Sequence, residues 1–141
     1  MQETGLPRTG GCQCGSVRYE LWDDPEAVHV CHCTECRKQS ASAFGISVIM
    51  RAAAFRLTSG SPRQWTRLTD KGHALECWFC PECGVRLYHV SSGFPDFRSV
   101  RGGTLDVPPD LSQAAHVYTD HMLDGVTVPE GALSFPLSVP D

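Results

Sequence analysis

Seven of the eight cysteines stand in three tight groups: Cys12 with Cys14, then Cys31, Cys33 and Cys36, then Cys80 with Cys83. Cysteines so close along the chain can hardly bond to one another, because a disulfide needs separated Cα atoms and facing Cβ vectors. They can share one zinc ion, whose tetrahedral shell takes thiolates at about 2.3 Å. Seven thiolates divided between two such ions leave one ion with three protein ligands and an open position. An open position separates a catalytic zinc from a structural one.

Cys80-Pro81-Glu82-Cys83-Gly84 has the form of a zinc knuckle, and Cys12-Gln13-Cys14-Gly15 ends in glycine in the same way. A glycine there lets the backbone turn with positive φ, so that amide N–H groups can face the sulfurs. The simplest pairing joins Cys12, Cys14, Cys80 and Cys83 as a closed site and leaves Cys31, Cys33 and Cys36 as a three-thiolate set. Spacing alone leaves other pairings open. Cys77 has two readings: a small buried hydrophobe, as most free cysteines are, or the fourth ligand that closes the second site. On an extended strand it points away from Cys80, since their separation is odd. His32, between two cysteines, is expected to point away from their metal.

These groups need rigid elements to hold them. Alternating or β-branched segments at 17–21, 44–50, 74–79, 85–90 and 116–119 predict strands. Asp23-Asp24-Pro25, Ser59-Gly60-Ser61-Pro62 and Asp70-Lys71-Gly72 are turn signals. Short helical turns are expected at 34–39 and 111–115. The Gly-, Ser- and Pro-bearing stretch 91–103 reads as a long loop in which Phe94, Pro95 and Phe97 either cover the open metal or pack in the core. The result is a mainly β domain with a modest core, to which structural zinc adds folding energy. The expected organisation is a mobile tail over 1–9, one zinc-binding domain over 10–136 and a short tail over 137–141.

The chain has 141 residues, a formal charge of −4 and no long apolar run. An acidic chain is a poor nonspecific nucleic-acid binder. No signal-peptide pattern is visible over 1–10, so cytoplasmic location with reduced thiols is expected, with neither membrane nor nucleic-acid partner.

The three groups together resemble the family of glutathione-dependent formaldehyde-activating enzymes, which includes centromere protein V-like proteins. The matching text is Gly10-Gly11-Cys12-Gln13-Cys14-Gly15-Ser16-Val17-Arg18-Tyr19, Cys31-His32-Cys33-Thr34-Glu35-Cys36-Arg37-Lys38 and Phe79-Cys80-Pro81-Glu82-Cys83-Gly84. The resemblance implies a β-tent of stacked short antiparallel sheets stapled by zinc. It implies two Zn2+ per chain: a structural ion on Cys12, Cys14, Cys80 and Cys83, and a catalytic-type ion on Cys31, Cys33 and Cys36. It also implies a carbon–sulfur lyase-like activity that joins formaldehyde to a small thiol such as glutathione. Arg37, Lys38, Arg98 and Arg101 are the candidate partners for glutathione's carboxylates, against a default of solvated surface charge. The competing readings are a non-catalytic zinc module for protein interaction and a redox protein cycling through disulfides.

Overall fold

The computed structural model describes residues 5–139. Among these residues ten strands form two sheets. The smaller sheet has the order β1-β2-β5, from Arg8–Gly11, Arg18–Leu21 and Phe55–Ser59. The larger sheet runs β10-β3-β4-β9-β8-β7-β6. Its strands are Ala115–Val117 (β10), Ala27–Cys31 (β3), Gly45–Arg51 (β4), Phe97–Arg101 (β9), Arg86–Ser91 (β8), Ala74–Phe79 (β7) and Arg63–Leu68 (β6). Every neighbouring pair is antiparallel except β10 and β3, which run parallel. The stacked antiparallel β-tent is therefore present, with one parallel edge strand added.

Strand alternation gives the larger sheet two unlike faces. Val48, Val100, Tyr88 and Trp78 lie opposite one another across β4, β9, β8 and β7. Their face packs on Tyr19 and Leu21 of β2, and the core between the sheets includes Met50, Leu87, Cys12 and Cys80. Tyr19, Phe55, Tyr88 and Trp78 form a continuous aromatic run, with centroids 5.6, 4.6 and 5.8 Å apart. The other face carries Cys31 opposite Gly45, then His29, Ser47 and Arg101 in one row, and Ile49, Ser99, His89 and Cys77 in the next. Shifting register by one residue would exchange these two sets.

Several expectations are corrected. The stretch 91–103 is not a long loop. It holds the end of β8, a tight turn and all of β9, closed by hydrogen bonds from Phe94 N to Ser91 O and from Phe97 N to Phe94 O. Turn-forming residues at both ends of a five-residue strand hide it in composition. No helix forms at 111–115. Ala115 instead begins β10, and His116 exchanges backbone hydrogen bonds with Leu133 and Phe135. β1 begins at Arg8, inside the segment expected to be a tail; Met1 to Thr4 lie outside the described residues. The tail expected at 137–141 is likewise engaged at Leu137, whose carbonyl accepts from Tyr118 N, while residues 140–141 lie outside the described part.

Candidate functional site

The first cysteine group is built by two similar turns. Cys12 N donates to Val17 O and Gly15 N returns to Cys12 O; Cys80 N donates to Val85 O and Gly84 N returns to Cys80 O. Gly15 and Gly84 have φ of 81° and 84°, the conformation expected from their place after the second cysteine. Amides face the sulfurs: Val17 N lies 3.3 Å from Cys12 Sγ and Glu82 N 3.4 Å from Cys80 Sγ. Burial pushes the Cys12 thiol up, but the Val17 amide, with contacts from Cys14, Cys80 and Ser16, outweighs it and brings the thiol down to about 6.

The sulfurs of Cys12, Cys14, Cys80 and Cys83 all lie within 4.8 Å of one another. Cys12–Cys14 and Cys14–Cys80 are 3.6 and 3.8 Å apart. That is far longer than a disulfide and close to the edge, about 3.8 Å, of a tetrahedron with 2.3 Å zinc–sulfur bonds. The donor set fits a zinc ion. Such an ion would tie the loop after β1 to the turn between β7 and β8 at the end of the core.

The second group sits on the opposite face of the larger sheet. Cys31 ends β3, and helix α1 follows at Thr34–Ser40. Cys33 is the N-cap of α1, and its Sγ accepts from Cys36 N at 3.3 Å. The chain thus turns from strand to helix within the motif, which brings Cys31, Cys33 and Cys36 within the same 4.8 Å limit. His32 points the other way. It is wholly buried, stacks on His116 and places Nε2 2.9 Å from His116 Nδ1. The three thiols share protons: contacts with Cys31 and Cys36 hold Cys33 well below the ordinary thiol range, while the neighbouring cysteines push Cys31 up.

Cys77 belongs to neither group. It is fully buried on β7, opposite His89 of β8. Burial raises its thiol, with Arg86, Arg67 and Arg101 pulling the other way. The second group is left with three sulfurs and no fourth cysteine. It opens on a cleft of about 370 Å³ whose walls include His29, Ser47, Phe94 and Tyr118 beside Cys31 and Cys36. Phe94 and His29 also line an adjoining apolar hollow with Phe97, so Phe94 is a wall between the two.

Two residues matter more than their sequence context suggests. Arg101 is only 7% exposed, against the expectation of a surface charge. Its place in the β9 register points it across Ser47. Tyr118 adopts a left-handed conformation at φ 57°, which a bulky residue keeps only under tertiary constraint. Its hydroxyl donates to Asp70 at 2.5 Å. A positive φ at tyrosine leaves no trace in composition or periodicity. Arg37, Lys38 and Arg98 are at most half-buried and do not line the cleft.

The fold and the two cysteine groups define a small, mainly β protein with two places that could hold a metal ion. The chain belongs to the glutathione-dependent formaldehyde-activating enzyme family, whose model matches residues 7–121. A relative in Emericella nidulans, provisionally named for that activity, is 30% identical over 55% of this chain and 39% of its own length. One in Sordaria macrospora, named likewise, is 26% identical over 59% of this chain and 37% of its own. The match to this chain thus spans well under half the length of these relatives. A Rhodobacter sphaeroides protein of known crystal structure superposes with a TM-score of 0.60 at 25% identity, covering 77% of this chain and 99% of that one. Among the described residues no helix is long and apolar enough to cross a membrane.

Proposed function

We propose that the chain is a zinc-dependent carbon–sulfur lyase-like enzyme that joins a small thiol of the glutathione type to formaldehyde. The observation that carries this is the three-sulfur group without a fourth cysteine, opening on a cleft. The family and its named relatives support the substrates. In this reading two zinc ions are held, one by Cys12, Cys14, Cys80 and Cys83 and one by Cys31, Cys33 and Cys36. The chain acts as one zinc-binding domain, which β1 from Arg8 and the contact at Leu137 extend beyond 10–136 on either side, and reduced thiols suit a cytoplasmic setting.

Held by Cys31, Cys33 and Cys36, a zinc ion would supply a soft acid that favours the thiolate form of a small thiol near neutral pH. The substrate sulfur attacks the aldehyde carbon. A carbon–sulfur bond forms, the carbonyl π pair moves to oxygen, and that oxygen takes up the proton lost by the thiol. Ser47 is placed to meet this oxygen. Its Oγ accepts from Arg101 Nη1 at 3.0 Å, which leaves its own hydrogen to donate into the cleft. His29, which burial pushes below its ordinary pKa, stays neutral on the same wall. Phe94 limits access of water from the side of the apolar hollow.

The test is glutathione binding by calorimetry on protein with its zinc counted, in the natural chain and in Cys33→Ser. Two zincs and saturable binding are expected in the first, one zinc with a retained fold and no binding in the second. Two zincs in Cys33→Ser would sink the proposed division of ligands. The non-catalytic module requires a closed second site, and Cys77 was its candidate for the fourth sulfur.

A further inference from the structure

Arg101 is a buried cation without a carboxylate. Its Nη1 donates to Ser47 Oγ and Ser99 Oγ, at 3.0 and 2.9 Å. Its Nη2 is buried and has no hydrogen-bond partner, and none of the ion pairs among the described residues includes it. A guanidinium stays charged at every ordinary pH. Two hydroxyls do not neutralise it, and an unpaired buried charge is strongly unfavourable. The missing anion must lie where Nη2 points.

The geometry of Gly45 says what lies there. A Cβ at Gly45 would stand 2.7 Å from Arg101 Nη2, 3.1 Å from Gln39 Nε2 and 3.2 Å from Cys36 Cβ. Cys31 is the cross-strand partner of Gly45. The absence of a side chain at this one position lets the guanidinium approach the cysteines. Gln39 Nε2, also buried and unpartnered, adds a second donor on the same side.

We propose that Arg101 is the built-in counter-cation of the Cys31–Cys33–Cys36 group and the positioning residue that lets an anionic thiolate take the fourth place there. This rests on the reading that the group holds a divalent metal. Three thiolates around a divalent ion leave one net negative charge, and a fourth would leave two. With Arg101 against the sulfurs the sums become zero and one. The substrate thiolate then enters a neutral site rather than an anionic one. A neutral ligand gains nothing from the same arrangement.

The experiment uses cobalt-loaded full-length protein and two probes without carboxylates: 2-mercaptoethanol, which binds as thiolate, and imidazole, which binds neutral. Difference absorption isolates the group with an open position, because the four-sulfur group contributes a constant background. Arg101→Met should weaken 2-mercaptoethanol binding by about 10- to 100-fold, as for an opposite charge withdrawn from contact, and leave imidazole binding within about twofold. Arg101→Lys should recover most of the thiol binding. Equal loss for both probes, or no loss for either, overturns the proposal while leaving the metal reading intact. A natural chain that takes up only one cobalt sinks the metal reading itself, and this inference with it. Should Arg101→Met lose its first metal through misfolding, Arg101→Lys carries the test. With the charge kept, the preference for thiol over imidazole must hold within about fivefold, and its loss overturns the proposal.

Discussion

At the scale of single residues, the second group is defined as much by the cysteine it lacks as by those it has. Cys77 is the only cysteine outside the clusters, and its strand register sends it towards His89 and a set of arginines. His89 is pushed down to about 2 by burial first and by Arg101, Arg86 and Arg67 after it, so it stays neutral there. Cys77 is therefore a packed side chain on a positively charged face. Cys77→Ala should leave the zinc count unchanged and lower stability by about 1 kcal/mol, the scale of a small buried truncation. Elemental analysis with thermal unfolding checks this, and loss of one zinc would place Cys77 among the ligands. That Cys77 and Cys80 face opposite ways was legible from their odd spacing. That Arg101 is buried was not, because an arginine flanked by Val100 and Gly102 carries no burial signal of its own.

Elements hold these residues through a few cross-links. β1 is a short edge strand, fastened to the segment after β9 by side chains as well as backbone. Thr9 Oγ1 donates to Asp106 Oδ2 at 2.6 Å, Asp106 N donates to Thr9 O, and Arg18 of β2 makes a two-point contact with the Asp106 carboxylate. Hydrogen bonds from Arg18 and then Thr9 hold Asp106 down to about 2, from a usual 3.8. The folded state therefore binds this proton less readily than the unfolded chain. The resulting stability is complete above about pH 4 and is lost as pH falls through that value towards 2. Asp106 remains 44% exposed, so screening keeps the effect small. Asp106→Asn should melt a few degrees lower at pH 6, and the gap should close on acidification. The two chains share all cysteines, so acid effects on metal sites cancel in the comparison. A gap undiminished between pH 6 and pH 2.5 would rule out the carboxylate as its source. Strand existence was legible where one face is buried and the other is not, as in β2. β5 and β6 were missed because most of their residues are exposed, which removes the alternation.

On the scale of the whole molecule, the two cysteine groups occupy unlike environments and should respond differently to loss. Cys12 and Cys80 are part of the core between the sheets, whereas Cys31 ends a strand on the outer face. A metal at the first group joins segments far apart in the chain, where a clip removes the most unfolded-state entropy. Cys80→Ser should consequently lower the melting temperature by roughly 10 °C or more and remove most of the dependence of melting on added zinc. Cys33→Ser should shift melting much less. Equal effects of the two substitutions would mean that both ions are structural and would weaken the lyase reading.

The sequence by itself determined the three local cysteine groups, the glycine turns behind them and the family, because local spacing dictates which neighbouring sulfurs stand together; that Cys12 and Cys14 meet Cys80 and Cys83 was decided by the fold. The sequence also left open the fate of Cys77, the setting of Arg101 and the strained backbone of Tyr118. Those depend on which strands become neighbours and in what register. The pairing of β4 with β9 places Arg101 across from Ser47, and the adjoining pair of β3 and β4 sets the bare Cα of Gly45 opposite Cys31. Register is a property of the assembled sheet, fixed by burying one face against β2, and only the tertiary structure could decide it.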